Sequence, residues 1–352
     1  MKIAIIAHLH FPISEPFLGG TEMHTAIVAD ELVRRGHDVT LFAKGGSRTS
    51  ATLAPILESD WVFGDRFDPT GVDRTQEELA AAISGAIDDI RSGGFDIVLN
   101  NSFGPLPYTM LTDWPMLTVL HTPPTLVRVN AVITRPDWRP GARHAYVGVS
   151  EFNAQAWRTV LPNVECIPNG IFLDQWRGTG PVEDGLAVWV GRITPEKGLH
   201  QAIAAVRRAG MRLEFSGPVS DPGYFHTQIE PKLGEDVRYL GHLPHDELAD
   251  LLARGSVFVA SPLWPEPFGL VVVEAMASGT PVAAFPHGAT PEVVGPRGGQ
   301  IAADGTVEAL AEAVKIARDL DRAAVRAHAQ RYDARVMVER YEQVLTRLLA
   351  PS

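Results

Sequence analysis

Short apolar runs rich in Val, Ile and Leu recur along the chain, separated by longer stretches in which apolar residues return at helical spacing. The runs Lys2–Ala7, Asp38–Phe42, Asp96–Leu99, Leu117–Leu120 and Tyr146–Val149 have the uninterrupted apolar character of strands covered on both faces, and Glu22–Arg35 and Gln76–Arg91 between them carry the helical period. Strand and helix alternating in this way predict a parallel, doubly wound, Rossmann-like sheet. After Pro168-Asn169-Gly170-Ile171 the alternation restarts with Ala187–Val190, Arg212–Phe215, Val237–Leu240, Val257–Ala260 and Val282–Ala284, which predicts a second sheet of the same kind. Gly178-Thr179-Gly180-Pro181 reads as a linker just past the junction, and Ala334 to Leu349 as a final amphipathic helix.

Length agrees with two domains, because 352 residues exceed the ~250–300 at which single cores stop growing. The fold class expected is α/β, with two facing Rossmann-like domains whose strand ends oppose one another across an interdomain cleft, where ligands of open α/β sheets bind. Lys2–Ala7 is too short for a secretory apolar region and no apolar run approaches the ~18 residues of a membrane span. The lone Cys166 permits no internal disulfide, so a reducing, cytoplasmic location is expected. A formal net charge of −11, shared by both halves, argues against nucleic-acid binding, which needs a basic face. Arg128, Arg135, Arg139 and Arg143 form a local basic exception around Trp138; it reads either as a solvated loop or as a contact for an acceptor or a membrane surface.

The densest chemistry lies in Trp264-Pro265-Glu266-Pro267-Phe268-Gly269-Leu270-Val271-Val272-Val273-Glu274-Ala275-Met276-Ala277-Ser278-Gly279-Thr280-Pro281-Val282. Pro267 and Gly269 delay the helix, leaving the amides of Gly269, Leu270 and Val271 as an open N-terminus suited to a diphosphate. Glu274, inside the helix, is placed to accept hydrogen bonds from vicinal ribose hydroxyls, and Glu266, in the turn, from those of a hexose. Arg192 and Lys197 flank a second Gly-bearing loop and supply a planar fork and a point charge for the same diphosphate.

Glu-Pro-Phe-Gly-Leu-x-x-x-Glu-Ala-Met-Ala-x-Gly-x-Pro-Val resembles the paired-glutamate signature of the retaining nucleotide-sugar glycosyltransferases of family 4, which have the GT-B fold. Val190-Gly191-Arg192-Ile193-Thr194-Pro195-Glu196-Lys197-Gly198 is similar to that family's phosphate-binding loop. Phe17-Leu18-Gly19-Gly20-Thr21-Glu22 extends the likeness to the N-terminus, and it is weakest over residues 44–95 and 122–143. The resemblance implies that the final helix crosses back onto the first domain, giving domains 1–170 plus 334–352 and 171–333. It also implies transfer of a hexose from a nucleotide-diphosphate sugar, with a UDP-sugar as the first guess for a donor that the sequence does not identify, to an acceptor hydroxyl with retention. In that route the leaving phosphate helps take the acceptor proton, and Glu266 and Glu274 are binding residues.

His121, at the end of the run Leu117–Leu120, resembles the family's cleft histidine, which contacts the donor sugar or the charge developing near the leaving phosphate. Gly19-Gly20, with Thr21 as a cap, are expected to bring backbone amides to an oxyanion, and Glu22 reads alternatively as compensation of the helix dipole. Ser216-Gly217-Pro218 and Gly241-His242-Leu243 are expected at the base pocket, His287-Gly288 at the sugar, and residues 44–75 and 122–143 on the acceptor side. Catalytic candidates are therefore His121, Arg192, Lys197 and Glu266. Donor contacts add Gly19, Gly20, Gly241, Leu243, Phe268, Gly269, Leu270, Val271 and Glu274.

No metal or cofactor is expected. Asp319-Leu320-Asp321 falls in a charged helical region after the last strand, and His8 and His10 lack a well-spaced third ligand. The alternatives are a GT-B epimerase or phosphorylase and a nucleotide-sugar-binding protein without turnover; no G-x-G-x-x-G after the first strand supports a dehydrogenase.

Overall fold

Seven strands, Lys2–Ile6 (β1), Asp38–Lys44 (β2), Thr52–Leu57 (β3), Ile97–Asn100 (β4), Met116–Leu120 (β5), His144–Gly148 (β6) and Val164–Cys166 (β7), form one sheet in the order β3-β2-β1-β4-β5-β6-β7. Every pairing in it is parallel, with Ile3 of β1 opposite Val39 on one side and Ile97 on the other. This computed structural model describes residues 1–62, 69–178 and 180–350. Thr179 of the expected linker, residues 63–68 of the expected acceptor side and residues 351–352 of the first expected domain lie outside the described residues.

A second sheet is built from Glu183–Val190 (β8), Arg212–Ser216 (β9), Val237–Tyr239 (β10), Gly255–Ala260 (β11), Val282–Ala284 (β12) and Gly299–Ile301 (β13). Its order is β10-β9-β8-β11-β12-β13, again parallel throughout. Strand order reverses between β1 and β4 in the first sheet and between β8 and β11 in the second, the position where adjacent loops part and leave a crevice at the strand C-termini.

Three strands were not legible from apolar runs. β3 and β7 are the edges of the first sheet and β13 an edge of the second. An edge strand is covered less completely, so Pro55 in β3, Glu165 in β7 and Gln300 in β13 are tolerated.

The chain divides into two compact units, Met1–Pro168 with Arg335–Ser352, and Asn169–Ala334. In the first unit Ile6, Phe42, Ile87 and Met116 pack in one apolar cluster and Tyr146, Trp157 and Val164 in another. In the second, Trp189, Leu213, Phe215 and Phe285 share a cluster with the apolar faces of the helices Leu199–Arg208 and Val307–Ala317.

The helix Ala334–Leu349 buries Met337, Val338, Tyr341, Val344 and Leu345, one face at helical spacing. Tyr341 is fully buried with its hydroxyl 3.2 Å from His24 Nε2, and Glu342 pairs with Arg35 at 2.7 Å and faces His37 at 2.8 Å. The last helix is thereby part of the first unit's core.

Tyr341→Ala is expected to cost ~3–5 kcal/mol, the range for truncating a buried aromatic, read as a lower urea midpoint. Glu339→Ala, exposed on the same helix, should stay within ~0.5 kcal/mol of the parent. Equal shifts from the two variants would show that the helix does not dock through this face.

Candidate functional site

In the second unit the loops leaving β8, β9 and β10 are stitched together by backbone. Gly191 N–H donates to Ser216 O at 3.1 Å, Ile193 N–H to Pro218 O at 2.9 Å and Gly217 N–H to Gly241 O at 3.0 Å. Ser216 Oγ donates to the same Gly241 carbonyl at 2.9 Å and accepts from Leu243 N–H at 3.2 Å. A Cβ on Gly217 would lie 1.9 Å from Gly191 O, so no side chain fits where the two loops cross. The expected base-pocket segments are thus adjacent.

Lys197 lies just before a helix. It ends the 3₁₀ turn Pro195–Lys197, and Gly198, at φ 67°, caps the helix Leu199–Arg208. A Cβ on Gly198 would lie 2.0 Å from Ser261 O. Ser261 Oγ is 3.1 Å from Lys197 O and 3.0 Å from Gly198 O, and Leu263 N–H donates to Glu196 O at 2.8 Å. The loop after β8 is therefore docked on the loop after β11.

That docking brings two expected site residues into contact. Lys197 Nζ is 2.5 Å from Glu266 Oε2, Trp264 Nε1 donates to the same oxygen at 3.0 Å, and Lys197 Nζ lies 5.4 Å from the Trp264 ring centroid. Glu266 is gripped from behind as well, since Ala289 N–H donates to its carbonyl at 2.8 Å and a Cβ on Gly288 would fall 2.3 Å from its N and O atoms. Diphosphate cation and sugar carboxylate, assigned to different partners from sequence, neutralise each other here. Arg192, half-buried, has no ion pair among the described residues.

The helix Leu270–Ala277 starts after Gly269, which sits at φ 85° and provides no side-chain cap. The amides of Leu270 and Val271 are among the first of the helix, which have no intrahelical acceptor. The Phe268 side chain does not join the site. It is 3% exposed and packs edge-on to Tyr332 at 5.6 Å, leaving its backbone alone to meet a ligand. Leu270 is likewise buried.

Glu274 is 6% exposed and its carboxylate has no hydrogen bond or ion pair among the described residues. Burial pushes its pKa up to about 8. A buried carboxyl without a partner is costly to the fold and is the kind of group that binding sites retain.

In the first unit, Gly19 is the N-cap of the helix Gly20–Arg34 and no side chain caps it. Thr21 is not the cap: it lies inside the helix, and its carbonyl accepts from Thr25 Oγ1 at 2.8 Å. Glu22 belongs to the first turn, as dipole compensation requires, but it is 4% exposed, with Oε1 3.3 Å from His8 Nε2. His8 stacks on Phe103 at 5.4 Å, and burial lowers the pKa of the neighbouring His10 to about 4.

His121 follows β5, partly buried, with Nε2 3.2 Å from Asn101 Oδ1. Burial holds its pKa well below 6.5, with smaller contributions of the same sign from His24 and His8. His24, Asn101 and Thr25 complete this cluster and were not singled out in the sequence; His24 meets His121 edge-on at 4.6 Å. The available signal was the polar run Asn100-Asn101-Ser102 closing an apolar strand.

Several remaining candidates make local contacts. Asp321 caps the helix Arg322–Ala329 through Ala323 N–H at 2.9 Å. Arg135, Arg139 and Arg143 donate to the carbonyls of Ala131, Pro136 with Trp138, and Asp113, and Trp138 Nε1 donates to Tyr108 O at 3.0 Å. Half-buried His287 packs against Phe285 at 5.8 Å between ring centroids. Among the described residues no three His, Cys, Asp or Glu gather to hold a metal ion, and no helix is long and apolar enough to cross a membrane.

Residues 174–333 match the family described as glycosyl transferases group 1, and residues 18–175 match glycosyltransferase family 4. A phosphatidyl-myo-inositol mannosyltransferase of Propionibacterium freudenreichii is 30% identical over 291 residues, which span 76% of this chain and 73% of that protein. A glycogen synthase of Mycobacterium tuberculosis is 36% identical over 179 residues, 47% of this chain and 42% of its own length. Among solved structures, sucrose-phosphate synthase of Thermosynechococcus elongatus superposes with a TM-score of 0.81 at 19% identity, covering 99% of both chains. Anabaena HepE in complex with UDP-glucose superposes at 0.74 and 20% identity, covering 99% of this chain and 100% of that one. Two matched halves and a relative alike over most of its length agree with the two parallel sheets and the paired glutamates, and the chain belongs to the family 4 glycosyltransferases, with the GT-B fold.

Proposed function

We propose that this glycosyltransferase moves a hexose from a nucleotide-diphosphate sugar, with UDP-hexose as the first donor to test, to an acceptor hydroxyl with retention and without a divalent metal. The observation that carries the reading is the pairing of Lys197 with Glu266 beside an uncapped helix N-terminus, within the same motif as the unpartnered Glu274. The names of similar proteins support it: D-inositol 3-phosphate glycosyltransferases of mycobacteria and corynebacteria are among them, as is HepE with UDP-glucose.

In this reading Glu274 accepts hydrogen bonds from ribose hydroxyls. The diphosphate takes Lys197 from Glu266, joined by Arg192 and by the amides of Leu270 and Val271. Glu266, freed of its cation but still held by Trp264 and the Gly288 loop, turns its acceptor capacity to hydroxyls of the sugar. As the bond from the anomeric carbon to the leaving phosphate oxygen breaks, the two cations meet the charge that develops, and a phosphate oxygen takes the proton of the acceptor hydroxyl that attacks on the same face.

Activity should persist in excess EDTA. Loss of turnover that Mg²⁺ or Mn²⁺ restores would overturn the metal-free assignment.

Arg192→Ala and Lys197→Ala should each slow transfer at least tenfold, since a charge-assisted contact contributes ~1.5–3 kcal/mol. Two folded variants with unchanged kcat/KM would place the diphosphate elsewhere.

Glu274 provides a pH test with a defined sign. With its carboxyl raised to about 8, it is mostly protonated at neutral pH in the free protein, whereas ribose hydroxyls donate best to its ionised form. Binding of UDP near pH 7 should then release protons, so that calorimetric enthalpies vary with buffer ionisation heat; Glu274→Gln should abolish that part of the variation. A raised folded pKa also means that the favourable linkage is fully present below the unfolded carboxyl value and is lost as pH climbs through about 8. Free Glu274→Gln protein should therefore gain stability relative to the parent between roughly pH 5 and pH 9. Buffer-independent enthalpies in the parent would sink the assignment of Glu274 to the ribose.

A further inference from the structure

The polar cluster behind His121 is a chain of hydrogen bonds with one fixed end. Thr25 Oγ1 is 2.8 Å from Thr21 O, a backbone carbonyl that can only accept, so the single hydroxyl proton of Thr25 is committed to it. Thr25 Oγ1 must then accept from its other neighbour, which is Asn101 Nδ2 at 3.2 Å. This fixes the orientation of the Asn101 amide. The flipped orientation would set Oδ1 against an oxygen with no proton to give. With Nδ2 turned to Thr25, Oδ1 faces His121 Nε2 at 3.2 Å and needs a donor from it. Thr25 and Asn101 are fully buried, so water does not compete for these groups.

We propose that Thr25 and Asn101 are positioning residues that lock His121 in the neutral tautomer with its proton on Nε2, so that Nδ1 presents a lone pair to a hydroxyl of a sugar. The direction of bonding is set by the Thr21 carbonyl at the start of the helix Gly20–Arg34 and passed inward through two side chains. His121 Nδ1 has no partner among the described residues and is not sealed from solvent, so it is open to a ligand. Burial disfavours the imidazolium, and so do His24, whose ring lies edge-on at 4.6 Å, and His8, which itself faces the Glu22 carboxylate at 3.3 Å. His121 thereby acts as an acceptor of a hydroxyl proton and not as a cation for the leaving phosphate. The two roles open to a family cleft histidine are separated by the bonding behind it. The sugar-hydroxyl part rests on the transferase reading proposed above; the tautomer does not.

The test combines ¹⁵N-histidine NMR of the full chain with kinetics on UDP-glucose. His121 signals are identified by their loss in His121→Gln. The wild-type ring should show the pattern of a neutral Nε2–H tautomer at pH 7 and keep it at pH 5. Thr25→Val, which removes the hydroxyl at nearly constant volume, should yield a mixed tautomer and lower kcat about tenfold, the scale of one hydrogen bond, with the dissociation constant of UDP unchanged. Thr25→Ser should restore both. Thr25→Ala serves as a second hydroxyl-free variant should valine disturb folding.

A fall in the slow hydrolysis of UDP-glucose without acceptor would place the hydroxyl on the donor sugar; a fall confined to transfer would place it on the acceptor. A wild-type Nδ1–H tautomer, or a tautomer unmoved in folded Thr25→Val, would overturn the relay. A locked Nε2–H tautomer in a protein that transfers sugar from no nucleotide donor would leave the relay standing and overturn the transferase reading.

Discussion

Both sheets are parallel and apolar through most of their strands, and covering such strands on two faces leaves little room for a polar side chain along their length. Polar chemistry is thereby pushed to the C-terminal ends, where the backbone leaves the ladder and the first unpaired groups occur. The candidate residues follow this rule closely. Gly19 and Gly20 lie beyond β1, Asn101 just after β4, His121 after β5, Arg192 and Lys197 after β8, Glu266 after β11 and Gly288 after β12. Reversal of strand order between β1 and β4, and between β8 and β11, makes the loops diverge there, so the same constraint that builds each core also opens its crevice.

The two glutamates of one motif solve the problem of burial in opposite ways. Glu266 has a lysine and an indole N–H around one oxygen and a glycine loop pressed against its backbone. Glu274, inside a helix with almost entirely apolar neighbours, has no partner among the described residues and shifts toward its neutral form. Charge on the first is stored in a pair that a stronger anion can exchange. Under the proposed donor binding, charge on the second is withheld until hydrogen-bond donors arrive. Each arrangement costs the free protein something that a ligand can return, which is how a site is kept competent in a fold of marginal stability.

Fold class was legible because parallel strands write themselves as unbroken apolar runs, and the final helix because Met337, Val338, Tyr341, Val344 and Leu345 repeat with helical spacing. The edge strands β3, β7 and β13 escaped because half-covered strands carry no such run. At the site, residue types announced their chemistry but not their pairings. That Lys197 reaches Glu266 depends on Gly198 and Gly288 admitting backbone within 2.0 and 2.3 Å of where a Cβ would sit, a property of tertiary approach and not of spacing. Phe268 looked like a ligand contact because its motif neighbours carry candidate chemistry; its side chain packs on Tyr332, far along the chain. His24 and Thr25 were hidden in a helix most of whose other buried residues are apolar core.

Tyr341 seals His24 across a separation of more than three hundred positions, and this has a consequence for how the chain is made. Residues 169–334 can complete their own unit while the last helix is still inside the ribosome, but the amino-terminal unit, synthesised first, cannot be finished until residues 335–352 emerge. Until then the surface around His24, Arg35 and His37 lacks its cover and stays open to mispairing. The earlier-made unit is thus the later to mature, and chains cut between residues 334 and 335 would fail in the unit most distant in sequence from the damage.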